Sequence, residues 1–101
     1  MKWLPIIYRD FYDVPRAFAA TARGGWLLFD CMFDVAADEY ESEYSVYALP
    51  GPPPAEGSWS QLASLGKARG RIAVSSVTFD STRRKFVSEE SIESLLGSTT
   101  P

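Results

Sequence analysis

Between Trp26 and Phe33 the chain alternates strictly, and this stretch constrains the fold more than any other. Leu27, Phe29, Cys31 and Phe33 fall on one side of an extended backbone; Trp26, Leu28, Asp30 and Met32 fall on the other. Four apolar side chains on one side predict a core-facing strand. The mixed second side is either covered by a helix or partly wet. Gly24-Gly25 stands directly before this run, and Gly-Gly between two apolar segments is a two-residue hairpin signal. The alanine-rich run from Arg16 to Arg23 favours helix by composition alone, but that hairpin signal makes it the partner strand.

The rest of the chain extends the pattern. Leu4 to Tyr12 is rich in β-branched and aromatic residues and reads as a strand, with Pro5 at its start or on an edge. Asp13-Val14-Pro15-Arg16 reads as a turn, since a residue before proline is pushed from the α region. Asp34 to Glu43 reads as an acidic loop or a short irregular helix. Tyr44 to Leu49 is a strand, stopped by Pro50-Gly51-Pro52-Pro53-Pro54. A helix over 58–66 is expected from the Ser58/Gln61 capping box, the stripe of Trp59, Leu62 and Leu65, and a left-handed cap at Gly66. Arg71 to Phe79 is the fifth strand. A helix over 88–97 opens on Ser88, with Glu89 and Glu90 at the positive end of its dipole. Val87 is placed to staple onto Ile92, with Leu95 and Leu96 inward and Gly97 at the end.

These elements predict one α+β domain over residues 1–97, with a frayed tail at 98–101. Its five strands form a mainly antiparallel curled sheet or half-open barrel, an SH3-like roll being one named form. At 101 residues, 46% apolar and 14% aromatic, the chain can build a core without staples. A single cysteine excludes an internal disulfide and fits a reducing compartment. The apolar opening is interrupted at Pro5, too early for a signal peptide, and no run approaches the ~20 apolar residues of a membrane span. The expectation is a cytoplasmic protein with no membrane partner.

Charge is unevenly spread. Residues 1–29 carry four basic and two acidic groups, and residues 57–101 carry six basic and four acidic groups. Residues 30–56 carry seven acidic groups and no Lys or Arg. A net charge of −3 without a strong basic stripe argues against a nucleic-acid partner. Arg83-Arg84-Lys85 is a short basic cluster and reads as a solvated turn.

Catalytic constellations are scarce. The chain has no histidine, which removes Ser-His and Cys-His pairs and every histidine metal site. Cys31, between Phe29 and Phe33, reads as a buried structural thiol. Ser64-Leu65-Gly66-Lys67 matches an S-x-x-K string by chance, at a helix end in too short a chain. A calcium loop begun at Asp34 fails, with Ala36 at its third position, Glu39 at the glycine position and Ser45 at the final glutamate position. The reading is therefore not an enzyme, with no cofactor and no metal. Arg9-Asp10 and Asp13-Arg16 either form local ion pairs or line a pocket with Tyr8 and Tyr12. Pro50 and Pro53 satisfy P-x-x-P, but with Glu56 as the next charge they read as a stiff connection.

What remains is the acidic segment itself. Tyr40, Tyr44 and Tyr47 interleave with Asp38, Glu39, Glu41 and Glu43, and aromatic residues beside carboxylates suit recognition of a basic protein. The bland reading is a solvated acidic loop that maintains solubility. The strings from Arg9 to Arg16 and from Leu27 to Cys31 resemble small bacterial proteins in general and imply no activity. Three functions stay open: a noncatalytic interaction domain, a self-assembling homodimer using a strand edge or Trp3 and Trp26, and a small carboxylate- or Arg/Tyr-dependent enzyme.

Overall fold

The structure, a computed structural model, describes residues 2–22, 24–54, 59 and 61–97. The expected Ser58 cap, Glu56, the tail 98–101 and the side chains of Leu95 and Leu96 lie outside what is described. The element order is β1 (Trp3–Tyr12), β2 (Val14–Ala22), β3 (Gly25–Asp30), β4 (Phe33–Asp34), β5 (Glu39–Tyr40), β6 (Glu43–Leu49), α1 (Leu62–Leu65), β7 (Lys67–Ala73), β8 (Phe86–Ser88) and α2 (Glu89–Gly97). A six-stranded sheet in the order β7-β6-β3-β2-β1-β8 is antiparallel throughout, and β4 and β5 form a separate two-stranded ribbon. The main sheet therefore has six strands rather than the expected five, and it is not closed.

The first three strands form the expected meander. Tyr12 pairs with Val14, leaving only Asp13 at the bend with φ 66°. Aspartate tolerates that left-handed conformation better than most residues. Pro15 and Arg16 thus already belong to β2, and the turn is shorter than the sequence reading gave. Ala22 pairs with Gly25, and Gly24 takes φ 80°, which glycine adopts without a Cβ penalty. The β1–β2 ladder starts at Ile6, so Pro5 precedes it, where its missing N–H takes no ladder bond from β2.

Both faces of the sheet are covered. On one, Phe18 and Phe29 stack at 4.5 Å, and Tyr44 meets both edge-on at 5.3 and 6.1 Å. Leu27, Cys31, Val46, Ile72, Val77, Val87 and Ile92 complete this core. On the other face, Trp59 and α1 cover Ala17, Ala19 and Leu28. The mixed side of β3 is thus covered rather than wet. The Trp59 indole N–H donates to the Pro54 carbonyl at 3.1 Å, which ties the proline segment down. Helix α2 follows β8 and reaches β7, so it spans the gap between the two sheet edges.

Four boundaries differ from expectation. The first helix is only Leu62–Leu65, and Gly66 is extended at φ −91°, not left-handed. Glycine is needed there for close approach, because a Cβ would lie 2.9 Å from Tyr47 Cβ. The strand expected from Arg71 starts at Lys67 and ends at Ala73, where a 3-10 turn over Val74–Ser76 intervenes. Its first five residues are all exposed, so edge position removed the apolar alternation that marks a strand. Phe86–Ser88 forms β8 against β1 before α2 begins, and Phe79 touches Val87 only as an isolated bridge. Finally, the segment from Asp34 to Glu43 is a hairpin rather than a loop or irregular helix. Among the described residues no helix is long and apolar enough to cross a membrane.

Candidate interaction surface

The site begins where β3 stops. The Cys31 N–H still donates to the Arg16 carbonyl at 2.6 Å, but Met32 leaves the main sheet. Phe33 and Asp34 then pair with Tyr40 and Glu39, and the Glu41 N–H donates to the Met32 carbonyl at 2.9 Å. Asp34 Oδ1 accepts from the Ala36 and Ala37 N–H groups at 3.0 and 3.2 Å, and Asp38 at φ 56° completes the reversal. Such a carboxylate-to-backbone turn is the local chemistry that aspartate favours.

The ribbon leaves large apolar groups in solvent. Met32 is 55% exposed, Phe33 46% and Val35 82%, beside the exposed Asp34, Asp38 and Glu39. Tyr12, at the neighbouring β1–β2 bend, is 63% exposed. Between bend and ribbon lies a cleft of about 590 Å³ lined by Tyr12, Arg16, Phe33, Asp38, Glu39 and Tyr40.

Arg16 organises this cleft. Its guanidinium carbon sits 4.5 Å from the Tyr40 ring centroid and 6.0 Å from that of Tyr12. Its Nε donates to the Tyr12 carbonyl at 3.0 Å, and Nη1 donates to Cys31 Sγ at 3.6 Å. Tyr40 also meets Phe33 edge-on at 5.1 Å. Arg16 makes no ion pair with Asp13, so the pocket-lining alternative holds for this arginine. A cation held over aromatic faces in this way locks bend and ribbon together.

The expected site residues divide into four places. Asp38, Glu39 and Tyr40 come together in the cleft. The Glu41 and Glu43 carboxylates instead turn to Arg71, at 3.6 and 3.4 Å. Tyr44 is fully buried and its hydroxyl donates to the Pro15 carbonyl at 2.7 Å, while Tyr47 packs on the opposite face of the sheet. Tyr12 and Arg16 line the cleft as one of the two sequence readings had it, whereas Met32, Phe33 and Val35 are surface contributors that the sequence did not mark. Alternation had assigned Phe33 to the core, and only the departure of the chain at Met32 moves it outward.

Two titrating groups near the cleft are shifted by their surroundings. Burial pushes the Cys31 thiol up, and this outweighs the Arg16 hydrogen bond and charge that lower it. Its hydrogen goes to the Glu41 carbonyl at 3.0 Å. Burial also raises the Asp30 carboxyl, with Asp10 and Glu41 adding to the effect. Among the described residues no three His, Cys, Asp or Glu side chains converge to hold a metal ion. The chain matches no family model, no curated protein and no solved structure.

Proposed function

We propose that this domain is a noncatalytic protein-interaction module whose contact surface is the β4–β5 ribbon and the cleft beneath it. The observation that carries the reading is the composition of that surface. Exposed Met32, Phe33 and Val35 lie among three carboxylates on an ordered hairpin. Contiguous exposed apolar groups rimmed by charge are a recurring mark of interaction sites. The partner it suits presents basic groups around an apolar patch, with charge setting the encounter rate and salt dependence.

A small enzyme using Arg16, Tyr12 or the carboxylates would have to occupy the same cleft. The neutral, buried Cys31 and the engaged Arg16 guanidinium favour the binding reading over it. We read the curl of the open sheet as SH3-like, which assigns no function by itself, and the compartment as cytoplasmic.

The test is affinity capture at low and high salt, with the wild type and a Phe33→Ser/Glu39→Gln variant as baits. A partner held by the wild type, released by salt and lost in the variant supports the reading. Equal capture by both baits would remove the ribbon from consideration.

A further inference from the structure

Of the five carboxylates from Asp34 to Glu43, three are already engaged. Asp34 accepts from the Ala36 and Ala37 N–H groups, and Glu41 and Glu43 lie 3.6 and 3.4 Å from Arg71. Asp38 and Glu39 are exposed and, among the described residues, take part in no ion pair. These same two line the cleft, together with Tyr12, Arg16, Phe33 and Tyr40.

The charges on that lining do not balance. Arg16 supplies one positive charge against the two negative charges of Asp38 and Glu39, so the cleft is complementary to one further cation. The rings decide which kind. Arg16 already lies 4.5 Å over the Tyr40 ring, and Phe33 meets that ring edge-on at 5.1 Å. A guest guanidinium, which is well suited to stacking on a ring face, would compete with Arg16 there. A lysine ammonium is compact and needs only acceptors, and its four-carbon stem is apolar. Phe33 and Tyr12, 46% and 63% exposed, offer the stem an apolar wall, while Asp38 and Glu39 offer the head its acceptors. Bonds to the Tyr12 carbonyl and the Cys31 sulfur hold Arg16 in place, so the cleft is formed before a guest arrives. We propose that the cleft takes a lysine side chain from an exposed segment of a basic partner. This proposal rests on the reading of the ribbon as an interaction surface, and names the group that the partner inserts.

The test is an NMR titration of the full chain with blocked short peptides. Each has leucine on either side of a central lysine, arginine, ε-acetyl-lysine or norleucine. The lysine peptide should shift the Phe33, Asp38, Glu39 and Tyr40 amides, and high salt should weaken its binding. The arginine peptide should bind about threefold more weakly, and the two neutral peptides about tenfold more weakly. Asp38→Asn/Glu39→Gln should weaken the lysine peptide about tenfold; asparagine keeps a residue that tolerates the left-handed backbone at position 38. Glu90→Gln, at an exposed position on α2, is the charge control and should leave binding unchanged. Circular dichroism checks that both variants fold. Unmoved cleft amides, neutral peptides that bind as well as lysine, or full affinity in the double variant would each overturn the proposal. Arginine binding more tightly than lysine would overturn the choice of guest. If the cleft amides stay unmoved while the Phe33→Ser/Glu39→Gln bait still loses a captured partner, the ribbon reading stands and only the lysine assignment falls.

Discussion

The guanidinium of Arg16 lies 4.5 Å over the ring of Tyr40, twenty-four residues away in the sequence, and that contact fastens the acidic ribbon to the first hairpin. The ribbon has only two paired residues on each strand, too few to be stable in isolation. Its order depends on this cation, on the Asp34 turn and on the Met32–Glu41 backbone bond.

Arg16→Ala should therefore loosen the ribbon more than the fold. Loss of the stacking and of the bond to the Tyr12 carbonyl is expected to cost about 1–2 kcal/mol in urea unfolding. Amide exchange should quicken at Glu41 before it does in β3. Arg16→Lys should recover only part, since an ammonium cannot reproduce the planar fork. Unchanged exchange at Glu41 would show that the ribbon does not depend on Arg16.

Tyr44 is the buried member of the acidic segment, and its phenol is pushed up, first by burial and then by the neighbouring Cys31. The folded state holds this proton more tightly than the unfolded state. Its contribution is therefore complete below the ordinary tyrosine range near pH 10 and falls away as pH rises above it. Absorbance titration should show one tyrosine ionising only together with unfolding. Tyr44→Phe should remove that alkaline sensitivity and cost about 1–2 kcal/mol, by leaving the Pro15 carbonyl without its donor.

Asp80 shows the opposite sign. Partial burial works against its ionisation, but bonds from the Thr82 hydroxyl and from the Phe86, Lys85 and Thr82 N–H groups outweigh it and hold the carboxyl well below its usual range. Its contribution is present above the ordinary aspartate range near pH 4 and is lost as pH falls through and below it. Thermal melts of Asp80→Ala should lie below the wild type by a few degrees at neutral pH, about 1 kcal/mol. The two curves should converge in strong acid. A constant gap down to the lowest pH would contradict this account.

Gly66→Ala should destabilise through crowding rather than backbone strain. The added Cβ would sit 2.9 Å from Tyr47 Cβ and 3.1 Å from the Ala48 carbonyl oxygen. The expected cost is about 1–3 kcal/mol in chemical denaturation. A simultaneous Tyr47→Ala should bring no relief, since alanine keeps the Cβ that is met and the Ala48 oxygen is backbone.

Much of this architecture is legible in local pattern. The alternation of Leu27, Phe29 and Cys31, the Gly24 turn and the apolar content of β1 each report a side chain's burial on a two-residue period, which the sequence states directly. The pattern fails where tertiary position removes the reason for it. Lys67-Ala68-Arg69-Gly70-Arg71 lies on a sheet edge in solvent and need not alternate. Phe33 continues the period of β3 although the strand has already ended at Asp30. The acidic segment signalled a surface, but its carboxylates could not announce their partners: Glu41 and Glu43 are committed to Arg71 only because β7 runs beside β6. The contribution of Arg16 and Tyr12 to the cleft depends on a contact between distant segments, for which no spacing rule exists.

The most direct test of the central claim is amide hydrogen exchange compared between the free and the associated protein. The account predicts added protection concentrated on Met32–Glu41, with little change in α1 (Leu62–Leu65). Protection confined to α1, with the ribbon amides unaltered, would contradict it.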